Sequence, residues 1–178
     1  MSKRLTKEDW VFGGLSSLSR FGFSSLKAGL LAKELGVSRG SFYWHFQDIA
    51  DFEHQVMLAW RHQTTQSVIT QLDAIASPQS RLVKLVSLAM ADNLILDKAM
   101  RSWSLADKRA QTIVTEVDHQ RIAYLESLLR DSKVTASEVP LRARTLYWAS
   151  VGKSVVSHDA NSRIDEQQIQ NLVKTLLN

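Results

Sequence analysis

The apolar positions of this 178-residue chain recur three and four residues apart along most of its length, the spacing of helices with one buried face. The first such stripe is Trp10, Val11, Leu15 and Leu18. Thr6 followed by Asp9 reads as a capping box that opens this helix, and Gly22 ends it after about Arg20. Gly13 and Gly14 weaken the helix but let another element come close. A short helix is expected from Ala28 to Leu35, and Asp48, with Asp51 three residues on, caps a long one reaching Leu72. Ser77 as cap and Pro78 at the first helical position mark the clearest break in the chain. Further helices are expected over 79–96, 98–106, 108–130, 138–158 and 165–177. Ser137 is the expected cap of the penultimate helix, which places Pro140 in its first turn, where no backbone bond is lost. With one more short helix after Ser38, the pattern predicts an all-α chain of about nine helices.

That extra helix lies in "LLAKELGVSRGSFYWHF", residues 30 to 46. Leu31 and Leu35 share a face, and Gly36 suits the left-handed position just past a helix end. Val37 plugs the turn, and Ser38 is placed to cap a second short helix, so the stretch specifies a helix-turn-helix. Phe42 and Phe46, four apart, take its inward face. Arg39, Gly40, Ser41, Tyr43, Trp44 and His45 remain wholly or partly outside, and exposed rings in such number call for a partner. In a DNA major groove Arg39 is suited to a guanine edge and Gly40 permits close approach. Tyr43 and His45 are suited to phosphate oxygens, and Trp44 to a sugar or a thymine methyl. Packing of these rings against another part of the same chain is the alternative.

Charge placement agrees with a phosphate-facing surface. Residues 1 to 47 hold seven Lys or Arg (Lys3, Arg4, Lys7, Arg20, Lys27, Lys33, Arg39) against three acids, while the remaining bases and acids balance, so the whole net charge of +4 lies there. Two prolines and seven glycines favour helices over a sandwich or barrel. The absence of cysteine excludes disulfides and thiolate metal sites and fits a reducing cytosol. The N-terminus lacks the apolar stretch of a secretion signal, and no window has the run of about 18 apolar residues of a membrane span. A protein of the cytoplasm is therefore expected.

The segment "GF…LLAKELGVSRGSFYWHFQD…F" resembles, in residue type and spacing, the DNA-binding end of the tetracycline-repressor (TetR) family of bacterial transcriptional regulators. The resemblance covers about a third of the chain. It implies an all-helical homodimer with a three-helix helix-turn-helix domain over residues 1–47. An effector-binding and dimerisation domain would follow over 48–178, and a small organic effector would release a palindromic double-stranded DNA operator. The family's capping Thr at the start of the second helix aligns with Lys27, which can meet phosphate but cannot cap. Gly29 and Ile49 replace residues that often contact DNA in the family. These three departures support the alternative, a helical interaction module of the same fold without operator binding.

No Gly-rich phosphate loop, Ser-His-Asp order or paired acids in an apolar stretch appears, and the five histidines lack metal-ligand spacing, so no enzyme, metal or cofactor is expected. Candidate effector-binding residues are Met57, Trp60, Met100, Trp103, Asp118, Arg121 and Tyr124; Met and Trp side chains at such positions are more often core than pocket, and Asp118 and Arg121 suit a helix ion pair. A homodimer is expected through the last two helices. In the penultimate one Leu141, Thr145, Trp148, Ala149, Gly152, Val155 and Val156 form a stripe, with small residues at its centre for a close crossing. Ile169, Leu172, Val173, Leu176 and Leu177 form the corresponding stripe of the last helix.

Overall fold

The structure, a computed structural model, describes residues 5–91, 94–156 and 164–178. Nine α-helices lie among them: α1 (Lys7–Phe21), α2 (Ala28–Leu35), α3 (Ile49–Arg61), α4 (Ser67–Asp73), α5 (Pro78–Ala89), α6 (Ile95–Ser104), α7 (Lys108–Asp131), α8 (Val139–Val156) and α9 (Glu166–Leu177). There is no strand among the described residues. Lys3, Arg4, His158 and the expected helical stretches at 92–93 and 157–158 lie outside them.

Most local expectations hold at the level of single bonds. Thr6 and Asp9 close a capping box on α1, Asp48 accepts from the Asp51 amide, and Ser77 caps α5 with Pro78 at its start. Gly36 adopts φ 70°, ψ 32°, and the Val37 amide reaches back to the Ala32 carbonyl at 3.0 Å, a six-to-one closure of the end of α2.

Three elements differ from the pattern. The long helix expected from Asp48 to Leu72 is interrupted by a π-helical turn, His62–Gln66, in which Thr65 is buried and accepts a hydrogen bond from Arg121 Nε at 2.9 Å. A wide turn inside a regular helix has no signature in apolar spacing, because the residues on either side keep their own period. Residues 39–44 form a 3₁₀ helix rather than an α-helix. The first turn of α8 is laid down from Thr135, whose carbonyl accepts from Glu138 and Val139, so the backbone supplies what Ser137 was expected to supply.

By packing, the chain divides into two compact units, Met1–Thr64 with Ile95–Thr115, and Thr65–Leu94 with Glu116–Asn178. The first extends past residue 47 because α1 rests on α3 and α6 as well as on α2. Gly14 is where α3 comes closest: a methyl group there would stand 2.6 Å from Phe52 Cζ and 2.8 Å from Val56 Cγ2. Trp103 on α6 is buried and stacks on Phe23 with 6.2 Å between ring centroids. Arg109 donates to Glu53 and to Asp107, both at 2.7 Å, and its hydrogen bond holds the Asp107 carboxyl below the usual carboxylate range.

The second unit is built around Leu82, Val86, Leu128, Leu129, Val139, Ala143, Ile169 and Val173. Its α5 and α9 pack along one another. At its edge the Tyr124 hydroxyl donates to Asp73 at 2.8 Å; burial, and then that bond, push the phenol up to about 12.

Replacing Gly14 with Ala is expected to destabilise the protein by about 1–3 kcal/mol, because Phe52 and Val56 have to move. Gly13→Ala meets only the flexible end of Leu35, and about 1 kcal/mol of gained helix propensity offsets that contact. Denaturant midpoints of the two variants check the difference.

Candidate nucleic-acid interface

The helix-turn-helix is held from inside by rings. Phe42 is fully buried and is met by Trp10 at 5.4 Å, Phe46 at 5.0 Å and Phe52 at 5.4 Å between centroids. Trp10 and Phe52 approach edge to face, the arrangement in which a ring's positive edge meets the other's negative face. One buried residue thus ties the recognition segment, Arg39–Trp44, to α1 and α3.

With Phe42 and Phe46 turned inward, the other side chains turn out as the sequence pattern predicts. Arg39, Tyr43 and Trp44 are exposed, Trp44 at 82% of its surface, while Ser41 and His45 are half-buried. Arg39 Nη2 donates to the Tyr43 hydroxyl at 3.3 Å. Ser38 stands at the N-cap with extended backbone but makes no side-chain cap bond; the segment begins with the Ser41 amide on the Ser38 carbonyl at 3.0 Å. Ser38 is exposed, and its hydroxyl is suited to phosphate. Lys27 occupies the N-cap of α2, without a side-chain cap bond, as expected of a lysine there.

The basic surplus is not uniform. Arg20 is paired with Glu34 at 2.8 Å and lies over the Phe21 ring, and Lys7 lies over the Phe46 ring. Lys27, Lys33 and Arg39 are exposed.

Residues 13–53, the stretch containing these elements, match the family model described as bacterial regulatory proteins, tetR family. This segment resembles the N-terminal part of that family's regulators. Solved structures of that fold align over nearly the whole chain. NemR of E. coli in its reduced form is 16% identical with a TM-score of 0.79, covering 97% of each chain. FadR of Bacillus subtilis, in complex with stearoyl-CoA, is 14% identical with a TM-score of 0.70, also covering 97% of each. A transcriptional regulator of the TetR/AcrR family from Thermobifida fusca is 11% identical with a TM-score of 0.66, covering 97% of this chain and 96% of its own. None of the curated proteins compared with the sequence matches it. The chain has the fold of tetR-family transcriptional regulators.

The residues expected to bind an effector are divided by the packing. Met57, Trp60, Met100 and Trp103 are at most 1% exposed in the first unit. They lie in the core there, without exposed surface. Trp60 also donates its indole N–H to Asp97 at 2.7 Å, a bond across 37 residues that no local pattern signals. In the second unit Asp118 accepts from the Tyr147 hydroxyl at 2.6 Å, Arg121 donates to Thr65, and Tyr124 donates to Asp73. A groove of about 600 Å³ runs between α5 and α9, lined by Gln79, Lys84, Ser87, Glu166 and Gln170 over Val83 and Ile169. None of the expected effector residues lines it, and its walls are mainly polar. Among the described residues no cluster of three His, Asp or Glu side chains is arranged to hold a metal, and no helix is long and apolar enough to cross a membrane.

Of the expected dimer residues, Leu141, Trp148 and Val156 on α8 are exposed at 68%, 61% and 78%. Ala149 is exposed and Gly152 half-exposed beside them. On α9, Ile169 and Val173 instead fill the unit's own core, and Leu172 and Leu176 pack partly against it. The apolar spacing identified a buried face on α9 but could not say whose residues bury it.

Because Thr6 makes its cap bond and Ser38 does not, Thr6→Ala should cost about 1 kcal/mol. Ser38→Ala should stay within about 0.5 kcal/mol. Chemical denaturation of the two variants separates them.

Proposed function

We propose that the protein is a DNA-binding transcriptional regulator of the bacterial cytoplasm, a homodimeric repressor released from a palindromic double-stranded DNA operator by a small organic effector. The observation that carries this reading is the recognition segment: Arg39, Gly40, Ser41, Tyr43, Trp44 and His45 stand outward on a base made rigid by Phe42. Lys27 and Ser38 flank it with phosphate-seeking groups. In this reading Arg39 takes a guanine edge, His45, Ser38 and Lys27 take phosphates, and Trp44 packs on sugar or a thymine methyl.

Dimerisation follows from what α8 leaves uncovered. Leu141, Trp148, Val155 and Val156 are large apolar side chains in water on a face whose other members, Thr145, Ala149 and Gly152, are small. A second copy related by a twofold axis covers this face with itself, the usual way for such a surface to be buried. Two recognition segments about 34–36 Å apart then read both halves of a palindrome, where one reads few base pairs. An effector is supported by the fold shared with FadR, which was solved with stearoyl-CoA. The half-buried Asp118, Arg121 and Tyr124 of the second unit are our candidates for its polar contacts.

Selection of binding sites from random duplex DNA by the intact chain is expected to enrich a palindrome. Arg39→Ala should relax preference at one base pair per half-site by about 1–3 kcal/mol, whereas His45→Ala should weaken all sequences alike. Affinity should fall steeply between about 50 and 200 mM salt as phosphate counterions are released. An enriched pool no different from the input, or affinity nearly flat with salt, would leave the helical interaction module.

For the dimer, Gly152 offers a clean probe, because among the described residues nothing outside its own helix backbone lies within 4 Å of a Cβ built there. Gly152→Trp should leave the thermal midpoint of the isolated chain almost unchanged while wedging the paired helices apart. Sedimentation should show a dimer for the intact chain and a monomer for the variant. A variant that still dimerises excludes this face.

A further inference from the structure

We infer that Tyr43 is a positioning residue for base reading, one that sets the direction of the Arg39 guanidinium before DNA arrives; this rests on the DNA-binding reading above. Arg39 is exposed on a long, flexible side chain, and an unrestrained arginine loses much conformational freedom when it docks on a base edge. The structure supplies a restraint. Arg39 Nη2 donates to the Tyr43 hydroxyl at 3.3 Å, and the guanidinium carbon lies 6.0 Å from the centre of the Tyr43 ring. The ring cannot drift freely, because it stands edge to face on Phe42 at 5.3 Å, and Phe42 is fixed in the core.

A continuous path therefore runs from Trp10 and Phe52 through Phe42 and Tyr43 to the base-reading group. Among the described residues Tyr43 is the polar partner Arg39 has. A cation held over an aromatic face and bonded to its hydroxyl enters the groove with less freedom left to lose.

The test compares Tyr43→Phe, Tyr43→Leu, Arg39→Ala and the double variant Arg39→Ala/Tyr43→Phe, measured against the selected operator and its single-base variants. Tyr43→Phe should reduce preference at the Arg39 base pair about threefold, the value of one modest hydrogen bond, and leave preference at other positions intact. Tyr43→Leu, which also loses the ring, should reduce it further. In the Arg39→Ala background Tyr43→Phe should not change preference at any base pair. Equal weakening on every sequence, of the same size with or without Arg39, would make Tyr43 a phosphate contact and overturn the inference.

A readout without DNA accompanies these. The Arg39 side-chain proton resonances should carry a ring-current shift in the intact chain and in Tyr43→Phe that disappears in Tyr43→Leu; identical shifts in all three would also overturn it. If the intact chain enriches no operator, the DNA-binding reading and this one fall together. If it enriches one and Tyr43 behaves as a phosphate contact, only this one falls.

Discussion

The edge-to-face packing of Trp10 and Phe52 on Phe42 is the constraint from which the rest of the first unit follows. Those rings come from α1 and α3, and Phe42 from the segment between α2 and α3, so one contact fixes three stretches of chain that local hydrogen bonds could not orient. Close approach of α3 is possible because Gly14 has no side chain where Phe52 and Val56 arrive. Remove that space and Phe52 moves. Its movement shifts Phe42, and with it every residue that faces outward.

How much of this was legible in the sequence depended on the range of the interaction. Capping at Thr6, Asp48 and Ser77 and the left-handed Gly36 are decided within a few residues, and they appear as read. The inward turn of Phe42 and Phe46 was legible for the same reason: two rings four apart share one face. The π-helical turn at His62–Gln66 was not, since it depends on Thr65 meeting Arg121 more than fifty residues away. Nor was the fate of the large side chains of α3 and α6. A tryptophan at helical spacing is more often core than pocket but suited to both, and only the arrival of Asp97 beside Trp60 and Phe23 over Trp103 decides for the core.

The same division explains the last two helices. Both carry an apolar stripe, but α9 lies along α5 and turns Ile169 and Val173 into a core that already exists. On α8 the inward face is made by Val139, Ala143, Leu146 and Tyr147, which leaves a second apolar face exposed among the described residues. Two stripes that look alike in sequence thus do different work, one completing a core and the other remaining in water.

The 3₁₀ stretch Arg39–Trp44 has six residues, of which Phe42 is the buried one. Within the segment the interior contact is made mainly through Phe42, while Arg39, Gly40 and Trp44 around it are exposed. A lineage carrying this fold can acquire a different binding preference by exchanging surface side chains one at a time, each intermediate remaining folded. The architecture separates what must be kept from what can be rewritten, and it does so within two turns of chain.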